Sequence, residues 1–171
     1  MPTLTTAPTD PRGIAEQVVD PELPMLTLAD LGMLRDVRLL DDGAVIVEIT
    51  PTYAGCPALV AIRDDVVDAL HRAGFAEVDV RTVLAPGWST DRISDEGRRK
   101  LAQAGIAPPG SASSRLSGPV PLELGAAHRV AECPLCGSQD TEELGEFGAT
   151  VCTALRRCRR CHEPFEQVKA V

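Results

Sequence analysis

Aromatic residues and long apolar runs are scarce in this sequence. Three Phe, one Trp and one Tyr make up 3% of its 171 residues, which leaves few side chains on which nucleic acid bases could stack. The net charge is -8, so the whole molecule should repel nucleic acid and anionic membranes. No apolar stretch approaches the roughly 18 residues of a membrane span, and the amino terminus does not resemble a secretion signal. We therefore expect a cytoplasmic protein whose partners include neither nucleic acid nor membrane.

Cysteine, in contrast, occurs six times. Without a secretion signal the thiols should stay reduced, which favours metal ligation over disulfides. The composition, 44% hydrophobic and 25% charged, is typical of a folded soluble protein. The length suits one ordinary domain plus a small module.

The stretch from Thr50 to Pro57 places one cysteine between a predicted strand and a predicted helix. Residues 44–50 alternate between apolar and other residues, which predicts a half-buried strand. Pro57 suits the first helical position, so Cys56 is the expected N-cap, with its thiol facing the positive end of the helix. That placement would lower the pKa of the thiol and favour a reactive or metal-holding cysteine. The alternative is a small apolar residue packed under a tight turn. The helix is predicted from four apolar residues at helical spacing: Leu59, Ile62, Val66 and Leu70.

The acidic loop Asp20 to Pro24 follows a short predicted helix that begins at Asp10-Pro11 and ends near Val19. Asp20 and Glu22 either form a solvated turn or lie near the Cys56 turn as part of one site. Asp42-Gly43 predicts a hairpin, and residues 77–83 predict a third strand.

These elements favour a small α/β (α+β) domain with a mixed three-stranded sheet and helices packed on one side. After the third strand, Trp88 either lines a pocket beside Cys56 or caps the core. Ser94 predicts the start of a further helix, which runs to about Gln103. From residue 107 the sequence is rich in Pro, Gly and Ser, which predicts a linker. The resulting domain limits are 1–106, 107–127 for the linker, and 128–171 for a metal-binding module.

Two C-x-x-C turns form the most specific motif. Two intervening residues let both thiolates reach one ion, and four thiolates suit a structural Zn²⁺ site of the zinc-ribbon type. Iron in the same cage would instead give a redox centre. Cys152 could replace a ligand or be buried nearby, and His162 is a weaker alternative ligand. The four predicted ligands are Cys133, Cys136, Cys158 and Cys161.

A run of arginines adjoins the second C-x-x-C turn, at positions 156, 157, 159 and 160. Such runs usually form a solvated face, although this one could dock an acidic partner.

Together these motifs resemble the family of D subunits of bacterial phenylacetyl-CoA epoxidase systems over nearly the full length. The first half alone resembles the wider family of cytosolic iron–sulphur assembly factors. The stretches that carry the resemblance are Asp20-Pro21-Glu22, Asp30-Leu31-Gly32-Met33, residues 50–57, Gly87-Trp88-Ser89-Thr90-Asp91, Gly105-Ile106-Ala107-Pro108-Pro109, Glu146-Phe147-Gly148 and Glu163-Pro164-Phe165.

The resemblance implies a maturation role without catalysis. Cys56 would be a transient ligand of iron or of an iron–sulphur cluster, supported by Asp20 and Glu22. The implied partners are the reductase and the di-iron oxygenase subunit of the epoxidase. Because a [2Fe–2S] cluster needs four ligands, a homodimer, a small thiol or the client must complete the set. Two alternatives stay open: a metal-containing electron-transfer component of the same complex, and a zinc-ribbon adaptor that binds nucleic acid through its arginines.

Overall fold

The computed structural model describes residues 10–53, 55–110 and 131–170. Contacts divide the chain into two compact units, Met1–Trp88 and Ser89–Val171. In the residues described, no helix is both long and apolar enough to cross a membrane.

The first unit contains a three-stranded mixed sheet, as predicted. Strand β1 pairs antiparallel with β2, and β2 pairs parallel with β3, in the order β1-β2-β3. Helix α3 contacts α1 and β3. The elements are α1 (Pro11–Glu16), α2 (Leu28–Leu31), β1 (Leu34–Leu39), β2 (Val45–Ile49), α3 (Leu59–Arg72) and β3 (Val78–Thr82).

The local sequence explains most of these elements. The β1–β2 hairpin turns at Gly43, whose φ of 87° is costly for other residues, and the Asp42 carboxylate accepts from the Ala44 amide at 3.0 Å. Strand β2 alternates as expected, with Val45, Val47 and Ile49 fully buried. Helix α3 buries Ile62, Val66 and Leu70 on one face.

One helix ends earlier than predicted, and one short helix was not predicted. The Asp10 carboxylate caps α1 as expected, but the helix ends at Glu16 rather than near Val19, because Val19 forms a β-bridge with Thr27. The short helix α2 is an element that the sequence patterns above did not predict; it forms because Thr27 and Asp30 make a reciprocal capping box.

The second unit begins with a 3₁₀ turn (Thr90–Arg92) and α4 (Asp95–Gln103). The Ser94 hydroxyl caps α4 by accepting from the Gly97 amide at 2.9 Å. A four-stranded sheet follows in the order β4-β7-β6-β5, in which only the β4–β7 pair is parallel. Its strands are β4 (Ile106–Ala107), β5 (Thr141–Gly145), β6 (Thr153–Cys158) and β7 (Pro164–Val168).

The small core of this unit extends beyond the predicted ribbon module. Ala107, where the predicted linker begins, is 1% exposed and pairs with Gln167 of β7. The compact unit itself starts at Ser89. Residues 111–130, which include most of the predicted linker, lie outside the described residues, so the domain limits 1–106, 107–127 and 128–171 stay a prediction. One cluster of this core consists of Ala107, Ala131, Cys133, Cys158 and Phe165.

Candidate metal centre and cysteine site

The four cysteines of the two C-x-x-C turns meet at one end of the second unit. All four sulphur atoms lie within 4.8 Å of one another. The Cys133 and Cys161 sulphurs are 3.8 Å apart, and those of Cys136 and Cys158 are 3.6 Å apart. A tetrahedral site with metal–sulphur bonds of about 2.3 Å has edges of about 3.8 Å. The cage therefore fits a tetrahedral metal ion held by four thiolates.

The two turns have the same backbone conformation. Gly137 has a φ of 70° and its amide donates to the Cys133 carbonyl at 2.9 Å. His162 occupies the equivalent position in the second turn, with a φ of 64° and an amide that donates to the Cys158 carbonyl at 2.9 Å. His162 is therefore the left-handed residue of its turn and does not belong to the group of ligand atoms.

Backbone amides favour the thiolate form of Cys158, whereas burial and neighbouring cage sulphurs raise the pKa values of Cys136 and Cys161. The amides of Cys161 and Arg160 donate to the Cys158 sulphur and lower the pKa of this thiol to about 6. A thiolate, rather than a thiol, is the form that binds a metal ion. The sixth cysteine, Cys152, is not in the cage, and its carbonyl accepts from the Lys169 amide at 2.9 Å.

The arginine run does not form one basic surface. Arg156 is 4% exposed and donates to the Gln167 side chain at 3.2 Å. Arg157 and Arg159 both bind Glu142, and these hydrogen bonds hold the pKa of Glu142 below its ordinary value. Three of the four arginines thus have partners within the ribbon, which weakens the expectation of a docking surface for an acidic partner.

Cys56 is not the N-cap of α3, contrary to the prediction. The helix begins at Leu59, and Ala58 occupies the capping position without a side-chain hydrogen bond. A turn at Pro57 and Ala58 intervenes, in which the Leu59 amide donates to the Cys56 carbonyl at 3.2 Å. The thiol still faces this end of the helix, because the amides of Ala58 and Leu59 donate to its sulphur.

The pKa of Cys56 is raised rather than lowered, which corrects the second part of that prediction. Burial of the half-buried thiol raises it most, and the carboxylates of Glu22 and Asp20 raise it further. Together they outweigh the two amides. The thiol is therefore protonated at neutral pH, and a metal ion that binds it must displace the proton.

The acidic loop lies close to Cys56. Asp20 is 7% exposed, and its Oδ1 atom accepts from the amides of Glu22 and Leu23, each at 2.8 Å. These bonds fix the carboxylate within electrostatic range of the thiol. Over the described ranges, however, the four-cysteine cage is the only group of three or more possible ligands at coordinating distance. We call Cys56, Asp20 and Glu22 the open site: the two carboxylates act electrostatically on the thiol, but the three residues do not form a group at coordinating distance.

Two further residues shape this region. Thr50, at the start of the Cys56 loop, is 1% exposed, and its hydroxyl has no hydrogen-bond partner in the part of the chain described. The sequence carried no signal that Thr50 would be a buried polar residue, apart from its position after the end of β2. Trp88 donates its indole N–H to the Leu31 carbonyl at 2.7 Å. This hydrogen bond holds the segment around Trp88 against the end of α2, which favours a packing role for Trp88 over a place in a pocket beside Cys56.

Comparisons with known proteins match both halves of the chain. Residues 15–84 match the family described as "Iron-sulfur cluster assembly protein". Residues 117–169 match the family described as "PaaD zinc beta ribbon domain".

Curated relatives match either nearly the whole chain or about half of it. The chain is 39% identical to the Escherichia coli protein named as the putative D component of 1,2-phenylacetyl-CoA epoxidase, over 92% of this chain and 90% of the relative. It is 40% identical to the Fe-S protein maturation auxiliary factor YitW of Bacillus subtilis, over 48% of this chain and 80% of the relative. It is 33% identical to the Fe-S protein maturation auxiliary factor SufT of Staphylococcus aureus, over 45% of this chain and 88% of the relative.

The two auxiliary factors match about half of this chain, whereas the Escherichia coli relative matches 92% of it. The chain therefore belongs to the PaaD family, in which an iron–sulphur cluster assembly domain is joined to a zinc β-ribbon.

Proposed function

We propose that this protein is a maturation factor of a phenylacetyl-CoA epoxidase system, which helps to insert iron or an iron–sulphur cluster into the reductase or the di-iron oxygenase subunit. The observation that carries the proposal is the open site, in which a half-buried thiol lies beside two carboxylates without a complete ligand set. A site that must release its cargo benefits from missing ligands, because the client can supply them during transfer.

The electrostatics of the open site support binding of a cation. Asp20 and Glu22 disfavour the thiolate of Cys56 when no metal is present, but the same negative charges attract a metal ion. Cys56 is the only cysteine in the first unit. One thiolate cannot hold a [2Fe–2S] cluster, which needs four ligands, so the client, a small thiol or a second copy of the chain completes the set.

The ribbon has a different role in this proposal. Its four thiolates leave no open coordination position for catalysis, so the metal there is Zn²⁺ that stabilises the module. The ribbon would recognise the client while the first unit carries the cargo. Neither unit is assigned a catalytic residue.

The direct test is the metal content of the two client subunits. Each is purified from cells that express the intact chain, the C56S variant, the C152S variant or no chain, and its iron and labile sulphide are measured. The proposal expects that one client loses metal with C56S and without the chain, while C152S behaves as the intact chain. Fully metallated clients in all strains would overturn it.

A second candidate rests on the cage, because its sulphur spacing suits iron as well as zinc. An electron-transfer component would carry iron in the four-cysteine site and would show a visible absorption band from thiolate-to-iron charge transfer. Colourless protein with one zinc per chain would exclude this candidate.

A further inference from the structure

The sulphur atoms of the cage contact each other across the two turns. Cys133 of the first turn is 3.8 Å from Cys161 of the second, and Cys136 of the first is 3.6 Å from Cys158 of the second. We call these the two cross pairs. Each cross pair joins residues that are more than twenty positions apart in the chain.

Each cross pair also combines a more exposed cysteine with a buried one. Cys136 is exposed, whereas its neighbour Cys158 is 0% exposed. Cys161 is half-buried, whereas its neighbour Cys133 is 1% exposed. A soluble oxidant therefore reaches one cysteine of each pair and converts it to a sulphenic acid, and the buried cysteine lies close enough to react with that sulphenic acid.

We propose that the ribbon is an oxidant-sensitive switch, in which a hydroperoxide converts the two cross pairs into disulfides and the cage releases its metal. This inference concerns the ribbon alone and does not depend on how Cys56 acts. It differs from the ordinary expectation for C-x-x-C turns, in which the two cysteines of one turn pair with each other.

The steps balance for hydrogen peroxide as the oxidant. The accessible thiolate of Cys136 attacks one peroxide oxygen, the O–O bond breaks, and a sulphenic acid and hydroxide form. The thiolate of Cys158 then attacks the sulphenic sulphur, an S–S bond forms and a second hydroxide leaves. Two protons convert the hydroxides to water, so two thiolates lose two electrons to one peroxide. The pair Cys161 and Cys133 reacts in the same way, and the cage then has no thiolate left to hold the metal.

The surrounding structure gives the oxidation a consequence for the fold. A buried hydrophobic cluster of five described residues in the second unit includes two cage cysteines, so a metal ion held by the cage would supply much of the ribbon's stability. Cross-pair disulfides would keep the two turns joined after the metal has left. A reductant and added metal should then restore the cage.

The experiment uses the full chain with C56S and C152S, which leaves the four cage cysteines as the only thiols. The zinc-loaded protein is treated with hydrogen peroxide, released zinc is measured with a coloured chelator, and disulfides are located by peptide mass spectrometry. We expect four thiols to be lost for each zinc released, bridges Cys136–Cys158 and Cys133–Cys161, and recovery of one zinc per chain after reduction.

Three outcomes would overturn the proposal: zinc that is retained while the thiols resist peroxide, bridges within each turn, or oxidation to sulphinic and sulphonic acids without bridges. If the double variant does not retain zinc, the intact chain serves instead, because mass spectrometry distinguishes Cys56 and Cys152 from the cage cysteines in the same digest.

Discussion

The two thiol sites of this protein differ in how completely the chain assembles them. The ribbon brings four sulphurs within 4.8 Å of one another and lowers the pKa of Cys158 to about 6 through backbone amides. The first unit places one thiol beside two carboxylates and raises its pKa. The ribbon thus presents four sulphurs at coordinating distance, whereas Cys56 has no such set around it among the described residues. This is the difference that we expect between a permanent metal site and the exchange site proposed above.

The largest expected effect comes from removing one ligand of the closed site. Cys158→Ser should reduce zinc from one per chain to nearly none, because the apparent binding free energy of structural zinc, about 10–16 kcal/mol, depends on the complete set. The ribbon should lose its fold. Metal analysis and amide NMR signals of residues 131–170 would measure both effects.

Cys56→Ser is the matched control for this loss. It should retain one zinc per chain and an unchanged ribbon spectrum, because Cys56 is not in the cage. Loss of ribbon zinc in this variant would contradict the division between a closed and an open site.

A smaller effect should come from Gly148, at the end of the ribbon hairpin. A Cβ atom at this position would lie 2.5 Å from the Thr153 hydroxyl and 3.0 Å from the Glu166 carboxyl carbon. Gly148→Ala should therefore lower the free energy of unfolding of the ribbon by about 1–3 kcal/mol through steric overlap. Gly110→Ala, where a Cβ atom meets nothing within 4 Å, should leave it unchanged in denaturant titrations of the zinc-loaded chain.

The raised pKa of Cys56 predicts how the reactivity of this thiol depends on pH. The alkylation rate of Cys56 should rise with pH to a midpoint above the ordinary value of 9.0, because its pKa is raised. Removing the two charges with D20N and E22Q should move the midpoint downward, since the thiolate then meets less repulsion. The shift should be partial because burial is the largest cause.

Iodoacetamide labelling of Cys56, followed by mass spectrometry, measures this midpoint. Asp68→Asn, which removes an exposed carboxylate on α3, should leave the midpoint in place. An unchanged midpoint in the doubly neutralised variant would show that the acidic loop does not act on the thiol.

The smallest effect concerns the surface charges beside the cage. Glu142 binds Arg157 and Arg159, and its pKa lies below the ordinary 4.5. This interaction stabilises the fold above pH 4.5 and is lost as the pH falls through the lower folded value. Glu142→Gln should thus cause a slight fall in melting temperature at pH 7 that disappears in acid, with zinc content unchanged.

Periodicity and spacing predicted the parts of the structure that depend on nearby residues. The alternation of β2, the hairpin at Asp42-Gly43, the caps at Asp10 and Ser94 and the mixed sheet all follow from short stretches of sequence. Each C-x-x-C turn belongs to the same class, because it positions two sulphurs by itself, and the need of one metal ion for four ligands predicted that the two turns meet.

The parts that could not be predicted depend on contacts between distant residues. The pKa of Cys56 has the opposite direction to the expectation because burial and the loop at Asp20 and Glu22 act on it through space. The arginine run has partners on β5 and β7 that its own sequence does not reveal. The hydrogen bond from Trp88 to Leu31 spans 57 positions, which is beyond the reach of any local pattern.

The parallel pairing of β4 with β7 has a consequence for synthesis on the ribosome. Residues 106–107 lie at one edge of the ribbon sheet, but their partners are residues 166–167, near the carboxyl end. The strands of the first unit that the structure describes are complete once residue 82 has been made, whereas β4 cannot pair until residues 166–167 have left the exit tunnel. The first unit is therefore able to fold during translation well before the ribbon sheet gains this edge strand.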